Sequence, residues 1–324
     1  MALISHHPIR RTLAAIAVAL SLAACNSPTN QTTPDSAASP GATDATANAS
    51  ASDQVLTLGA IPDQDPEQLQ RQYEKLVAYL EAELGIKVAY KPVVDYAAAV
   101  TAFQVGDLEF VWFGGLTGVQ ARLQTPGATA IAQRDVDENF RSVFIANTSA
   151  GIAPFTEITD LTQLKGKTFT FGSESSTSGR LMPQYFLEQG GVALTDFQGP
   201  AGFSGDHDKT LELVQAGAYQ VGALNEKVWE KRSAEGKVNN DQVTVIWRTP
   251  AYYDYHWVLH PQIASEFGAD FPEKLRAALL KLSPDNPDHK EILDLFSAGK
   301  FIETKNENYA QIEAIGRKIG KITN

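Results

Sequence analysis

Residues 55–85 read VLTLGAIPDQDPEQLQRQYEKLVAYLEAELG, and this stretch decides the fold. Its first six residues, apolar except for Thr57, predict a strand, 55–60. Asp65 followed by Pro66 is typical of a helix start, because Asp caps the helix and Pro suits its first position. The apolar residues that follow recur at spacings of three and four and predict an amphipathic helix closed by Gly85: Leu69, Tyr73, Leu76, Val77, Leu80 and Leu84.

The same alternation continues along the chain and predicts parallel βαβ units, hence an α/β fold. In the first half it predicts strands at 86–91 and 108–113 and helices at 95–105 and 115–124. After 143–147 it predicts strands at 167–172, 220–224, 243–248 and 255–259, and helices at 177–189, 206–216 and 226–235. The remainder, 261–322, is predicted to be helical.

Two α/β halves of similar size, without a short repeat, indicate two lobes that face a cleft. Closure of such a hinge traps a ligand. We expect lobe 1 to contain residues 54–147 and 249–324, and lobe 2 to contain 148–248.

Composition excludes several classes of protein. With 43% hydrophobic and 20% charged residues among 324, the chain can bury a sizeable core, unlike a disordered or collagen-like protein. The formal net charge is −11. Loss of residues 1–24, which hold two arginines and no acidic residue, would make it −13. Such a body would repel the phosphates of nucleic acid, so we expect no nucleic-acid partner.

The first 24 residues are typical of a signal peptide. Arg10 and Arg11 precede an apolar run, 12–22, which is shorter than the roughly 20 residues of a membrane span. Residues 22–25 read LAAC, and Cys25 is the only cysteine. Residues 26–52 hold no large aliphatic or aromatic side chain, which predicts a flexible tether. We therefore expect an exported protein; an ordinary secretory cut, with an incidental cysteine, stays open.

The strongest local motif is FGSESSTSG at 171–179, between a predicted strand and a predicted helix. Hydroxyls of Ser176, Thr177 and Ser178, together with the amides and positive dipole of a helix N-terminus, would form an anion cradle. Simple capping of the helix is the alternative, but capping needs only one hydroxyl.

Two further motifs contain candidate ligand groups. SGDHD at 204–208 enters a helix, where His207 could donate to an oxyanion or be an ordinary first-turn residue. A metal site there is disfavoured, because adjacent helical residues do not point to one centre. TPAYYDYHW at 249–257 surrounds Asp254 with four aromatic rings and could be either a site or core. Strand-end residues could add cleft walls: Asp95, Tyr96, Trp112 and Phe113.

Enzyme signatures are missing from the sequence. Residues 164–168 end like a phosphate loop, but Leu161 stands where its first glycine is required. The chain has no GxSxG, HExxH or CxxC motif. A serine nucleophile paired with His207 stays open, but we expect no enzyme, no cofactor and no metal.

Taken together, these motifs resemble the phosphate, phosphite and phosphonate substrate-binding proteins of ABC importers, over about residues 55–322. The matching segments are AIPD at 60–63, DY at 95–96, WFG at 112–114, SESSTSG at 173–179, SGDHD at 204–208 and PAYYDY at 250–255. The resemblance implies a bilobal, type II-like periplasmic-binding-protein fold with the ligand in the cleft. It also implies ABC permease and ATPase partners and a monomer.

The resemblance further implies which residues bind the ligand. These are Ser176, Thr177, Ser178, His207 and Asp254, with Tyr96 and Tyr253 as additional candidates. Residues 22–25 resemble a bacterial lipobox, which implies cleavage before Cys25 and lipid on that residue. The protein would then be a membrane-anchored lipoprotein on the periplasmic or cell-surface side.

Physical chemistry orders the ligand candidates. A buried carboxylate beside a fully ionised dianion such as selenate is costly, whereas phosphite and phosphonates can keep a proton and donate it to Asp254. Their P–H or P–C face also suits a wall of Trp112, Phe113, Tyr253 and Trp257. We therefore expect phosphite or a small phosphonate. One alternative is a protein that binds selenate or selenite, because relatives with these longer motifs are sometimes labelled selenate-binding. The others are a ligand sensor and, least favoured, a hydrolase.

Overall fold

The computed structural model describes residues 54–323, so the predicted signal peptide, Cys25 and tether lie outside it. The helix predicted at the start is confirmed: the Asp65 carboxylate accepts the amides of Glu67 and Gln68 at 3.1 Å, and Gly85 ends the helix with φ 68°. The described helices are α1 (Pro66–Leu84), α2 (Tyr96–Gln104), α3 (Gly115–Gln124), α4 (Met182–Gln189), α5 (His207–Gln215), α6 (Glu226–Ala234), α7 (Ile263–Glu266), α8 (Phe271–Leu280), α9 (Pro287–Leu295) and α10 (Ala310–Ile319).

The strands form two mixed sheets. They are β1 (Val55–Ala60), β2 (Lys87–Tyr90), β3 (Phe110–Phe113), β4 (Thr129–Arg134), β5 (Ser142–Asn147), β6 (Phe169–Phe171), β7 (Gly202–Phe203), β8 (Val221–Asn225), β9 (Val243–Arg248), β10 (His256–Leu259) and β11 (Phe301–Glu303). The first sheet has the order β11-β4-β10-β3-β1-β2, and the second has the order β7-β6-β8-β5-β9. The α/β class is therefore confirmed.

The sheets are less uniformly parallel than predicted. β1 is parallel to β2 and β3, and β6 is parallel to β7 and β8, as βαβ units require. β10 runs antiparallel to β3 and β4, and β5 runs antiparallel to β8 and β9. These antiparallel strands enter each sheet where the chain arrives from the other sheet rather than through a crossover helix.

Two predicted boundaries need correction. Residues 261–322 are not all helical, because β11 pairs with β4 at the edge of the first sheet. Residues 142–147 were placed in lobe 1, but β5 lies between β8 and β9 of the second sheet. The chain crosses between the sheets at 135–141 and 249–255, so the first lobe boundary moves to the earlier crossing. The division into lobes itself stays a prediction.

Apolar side chains cover both faces of these sheets. The strand β3 is buried along its whole length, as expected for a strand that lies between two neighbours and under helices. No helix within residues 54–323 is both long enough and apolar enough to span a bilayer.

Candidate functional site

The hydroxyl-rich motif forms a buried turn at the start of a helix. The Ser176 hydroxyl accepts the Gly179 amide at 2.9 Å and caps the π-helical turn Thr177–Leu181, which leads into α4. The capping alternative is thus realised by Ser176 alone. The side chains of Thr177 and Ser178 are also buried but have other partners.

Thr177 reaches across to the first sheet. Its hydroxyl oxygen accepts the amide of Leu116 at 2.9 Å, and the neighbouring amide of Gly115 donates to Asp254 Oδ1 at 2.8 Å. Both amides belong to the first turn of α3. Gly114 lies between the two acceptors, and a Cβ there would lie 3.2 Å from Thr177 Oγ1 and 3.4 Å from Asp254 Oδ1. The strand end of β3 therefore needs glycine to bring the two side chains together.

Asp254 is a fully buried carboxyl group. Burial raises its pKa to about 7, against the lowering effect of the Gly115 amide and the Thr177 hydroxyl. Its Oδ2 has no hydrogen-bond partner among the described residues. A buried acceptor without a partner is rare in folded proteins, so this oxygen points to a ligand.

Tyr96 supplies a second such atom. It is the first residue of α2, follows the Asp95 cap, and its hydroxyl has no hydrogen-bond partner in the described part of the chain. Burial is the main cause that raises its pKa well above 10, with Asp63 and Asp254 acting in the same direction and the Ser176 hydroxyl opposing them. Tyr96 therefore lies within electrostatic reach of the hydroxyl turn and of Asp254.

His207 also faces this site from the second sheet. It is the first residue of α5, and its Nε2 lies 3.5 Å from Ser178 Oγ and 3.3 Å from the Tyr255 hydroxyl. Burial lowers its pKa to about 4, so the imidazole is neutral at pH 7. A neutral imidazole can still donate one N–H to an oxyanion.

Sequence reasoning left out three buried partners of His207. The Tyr255 hydroxyl donates to Asp63 Oδ2 at 2.8 Å and accepts from Asn225 Nδ2 at 3.2 Å. Burial raises the pKa of Asp63 to about 6. The sequence position of Asp63 could have indicated its role, because it follows the carboxyl end of β1, where α/β sheets bind ligands.

The rings of the predicted aromatic wall pack against other aromatic rings. Trp112 stacks on Tyr255 with ring centres 5.6 Å apart, and Phe113 meets Phe103 edge to face. Half-buried Tyr253 meets Tyr309 edge to face. Trp257 stacks on Phe110 at 4.2 Å. Contact of these rings with a ligand stays a prediction, whereas Ser176, Thr177, Ser178, His207, Asp254 and Tyr96 are brought to one place.

Comparisons with known proteins agree with this architecture. The family described as "ABC transporter, phosphonate, periplasmic substrate-binding protein" matches residues 58–309. The probable ABC transporter phosphite binding protein PhnD1 of Prochlorococcus marinus (strain MIT 9301) is 47% identical over 83% of this chain and 91% of the relative. Its structure in complex with methylphosphonate has a TM-score of 0.81 and covers 83% of this chain and 99% of that one.

More distant relatives point the same way. The phosphonates-binding periplasmic protein of Escherichia coli (strain K12) is 25% identical over 63% of this chain and 60% of its own length. A binding protein component of an ABC phosphonate transporter from Pseudomonas aeruginosa is 21% identical, with a TM-score of 0.70 over 81% of this chain and 85% of that one, and supports the fold alone. The solved neighbours share the bilobal fold. The family match and the 47% identical relative show that the chain belongs to the phosphonate-binding family of periplasmic substrate-binding proteins of ABC transporters.

Proposed function

We propose that this protein captures a small phosphorus oxyanion, phosphite or a small phosphonate, and delivers it to an ABC importer. The carrying observation is a pair of buried oxygens beside the turn 176–179, Asp254 Oδ2 and the Tyr96 hydroxyl, that have no hydrogen-bond partner within residues 54–323. A tetrahedral oxyanion has acceptors for the donors of this site and, when protonated, a donor for the carboxylate.

The donors are neutral groups rather than cations. Hydroxyls of the turn, the Tyr96 phenol and the His207 imidazole would surround the ligand, so the geometry selects it and the net charge of −11 matters little. Solvent and salt screen the field of distant, exposed charges, so the local donors of the site dominate.

The raised pKa of Asp254 changes the sequence-based argument about ligand choice. Since this pKa is about 7, the carboxyl itself can carry the shared proton, even beside a dianion such as selenate. The proton argument therefore does not separate phosphite from selenate. The phosphorus preference is supported by the 47% identical relative, whose structure contains methylphosphonate.

Titration of the full chain, purified in mild detergent, tests the ligand class. Calorimetry with phosphite, methylphosphonate, phosphate, selenate and selenite should give the tightest binding for phosphite or methylphosphonate. Ser176→Ala should weaken this binding about tenfold or more, since it removes the cap of the turn. Ser149→Ala, at an exposed position remote in sequence, is the matched control. Tighter selenate binding, or no binding of any of the five, would overturn the proposal.

A receptor and a hydrolase differ in what happens to the ligand. We propose a role without catalysis, so phosphorus NMR after prolonged incubation with a phosphonate should show only the starting compound. Appearance of inorganic phosphate would contradict this role.

We also propose that the protein is a monomer anchored by lipid at Cys25, with permease and ATPase subunits as partners. Cys25→Ser should move the protein from the membrane fraction to the soluble fraction of cells, and mass spectrometry should find no lipid on it. Retention of the variant in the membrane would contradict the anchor.

A further inference from the structure

The proton on His207 has a fixed position in this structure. The backbone amide of Asn225 points at His207 Nδ1 at 3.4 Å, and an amide N–H can only donate. Nδ1 must therefore be the bare nitrogen of the neutral ring, since a proton there would face another proton. The ring hydrogen then lies on Nε2, the atom close to Ser178 and Tyr255.

The orientation of the Asn225 amide is fixed in the same way. Its Oδ1 accepts the backbone amides of Lys227 and Val228 at 2.7 and 3.2 Å, so the other side-chain atom is the donor Nδ2. That donor points at the Tyr255 hydroxyl oxygen at 3.2 Å. Tyr255 thus faces two donors, Asn225 Nδ2 and His207 Nε2, and its own proton must go elsewhere.

The proton of Tyr255 goes to Asp63 Oδ2, 2.8 Å away. All hydrogen bonds of the chain therefore point one way: from Asn225 N–H to His207, from His207 to Tyr255, and from Tyr255 to the Asp63 carboxylate. Asp63 and Tyr255 lie next to strands of the first sheet, whereas His207 and Asn225 belong to elements of the second. The backbone amide of His207 also donates to the Asp63 carbonyl at 3.0 Å, which joins the same two segments.

We propose that Asp63 is a positioning residue that acts through Tyr255 to keep the proton on Nε2 of His207, so that this neutral N–H, whose contacts with Tyr255 and Ser178 are long at 3.3 and 3.5 Å, can be shared with the bound oxyanion. This inference rests on the proposed function, because it assigns a direction to a donor of the same site. Asp63 itself needs no contact with the ligand.

Protonation of Asp63 would reverse this chain. A protonated carboxyl would donate to the Tyr255 oxygen, Tyr255 would donate to His207 Nε2, and the ring proton would be forced against the Asn225 amide. The pKa of Asp63, raised by burial to about 6, places this reversal within an accessible pH range. Asp63 also lines a small crevice together with Gln64, Arg134, Asn225 and Lys227.

Other ionisable groups around Asp63 share its environment. Arg134 lowers the pKa of Asp63, Asp208 raises it, and the hydrogen bond from Tyr255 lowers it. The titratable and charged groups that face Asp63 from the surrounding elements are Tyr73, Tyr90, Tyr96, Arg134, His207, Asp208, Lys227, Lys231 and Tyr255.

Two substitutions weaken the chain at different places. Asp63→Asn keeps the shape but removes the charge, and Tyr255→Phe keeps the ring that stacks on Trp112 but removes the hydroxyl. Asp65→Asn is the matched control, because Asn caps a helix about as well as Asp and Asp65 caps α1 two residues further on. All four proteins are used as full chains in mild detergent.

The readouts are the phosphite and methylphosphonate dissociation constants from pH 5 to pH 8, and the ring-nitrogen NMR shifts of His207 in the free protein. We expect both chain variants to bind about tenfold more weakly at pH 8. The ratio of the dissociation constants of Asp63→Asn and wild type should fall towards one at pH 5, where wild-type Asp63 is protonated and also uncharged. Wild type and Asp65→Asn should show the Nε2–H form at pH 8. In both chain variants only the long 3.4 Å bond from the Asn225 amide still favours this form, so they should populate Nδ1–H in part.

The outcomes separate this inference from the proposed function. Ring-nitrogen NMR shifts of His207 that are the same in wild type and both chain variants would overturn this inference. A loss of affinity of equal size at every pH would also overturn it, because it would indicate a purely structural role. If wild type bound no phosphorus oxyanion, the proposed function would fail, while the NMR shifts of the free protein would still decide the direction of the chain.

Discussion

The amide nitrogen of Leu116 lies 2.9 Å from Thr177 Oγ1, although 61 residues separate them in sequence. Leu116 is in the first turn of α3, above the first sheet, and Thr177 follows β6 of the second sheet. The turn that carries the proposed anion site is thus hydrogen-bonded to the opposite half of the molecule. This bond couples the geometry of the hydroxyl turn to the distance between the two halves of the molecule.

Replacement of Thr177 by valine should therefore weaken both folding and binding. Valine keeps the volume but leaves the buried Leu116 amide without an acceptor, which costs about 1–3 kcal/mol of unfolding free energy. Urea unfolding and phosphite titration check this prediction. Thr117→Val is the matched control, because its hydroxyl donates to the Gly114 carbonyl at the start of its own helix and does not join the two halves. Equal effects of the two variants would contradict a special role for the bond between the halves.

Helices and parallel strands could be predicted because their signals are local. The Asp65 cap, the spacing of apolar residues and Gly85 all lie within one stretch, and α1 has the predicted bounds. β7 and β11 were missed because short edge strands carry little periodicity and gain their partners only from the tertiary fold. β4, a six-residue strand between β10 and β11, was missed as well. The place of β5 in the second sheet depends on its pairing with β8 and β9, which no local pattern indicates.

The candidate site could be predicted in part for a related reason. Hydroxyls at a helix start and an acid among aromatic rings are visible in the sequence as motifs. Asp63 and Tyr255 are hydrogen-bonded to each other although 192 residues separate them, and no local pattern in the sequence indicates such a pair. Burial of Trp112 and Phe113 likewise depends on which rings the fold packs against them.

Asp254→Asn should stabilise the protein at alkaline pH while it weakens binding. The pKa of Asp254 is raised from 3.8 to about 7, so the folded state holds a proton that the unfolded state releases between these values. Wild-type stability should therefore fall as pH rises from about 4 to about 7, by up to about 4 kcal/mol from this group. The amide has no charge to bury, so this loss should be missing in the variant.

Urea unfolding of both proteins at pH 4 and pH 8 measures the difference. The variant should gain stability relative to wild type at pH 8, and the gain should shrink or vanish at pH 4. Asp95→Asn, the same substitution at an exposed helix cap, should show no gain of this size. A gain at Asp254 that is the same at both pH values would contradict the raised pKa.

Gly179→Ala should open the hydroxyl turn. A Cβ there would lie 3.0 Å from Ser176 Oγ, 3.2 Å from the Gly172 Cα and 3.2 Å from His207 Cε1. The backbone of Gly172 cannot move freely, because its amide donates to the Gly179 carbonyl at 2.9 Å. We expect a loss of about 1–3 kcal/mol in stability and weaker oxyanion binding. Gly191→Ala, where no atom lies within 4 Å but φ is 78°, tests whether backbone strain alone gives the same result without loss of binding.

Asp137→Asn should be the most destabilising of these changes. Arg134 donates from Nε and Nη2 to the two Asp137 oxygens at 2.7 Å, and from Nη1 to the Phe296 carbonyl at 2.7 Å. Its guanidinium also lies 4.9 Å from the ring of Tyr255, so the pair supports the residue that faces His207. Loss of one partner leaves a buried charge without compensation, which costs about 3–5 kcal/mol. Asp270→Asn, at an exposed pair with Lys274, should have little effect in the same urea measurement, because water screens that pair. Similar losses in the two variants would mean that the Arg134 pair contributes no more than a surface contact, and that Tyr255 is held in place by ring packing alone.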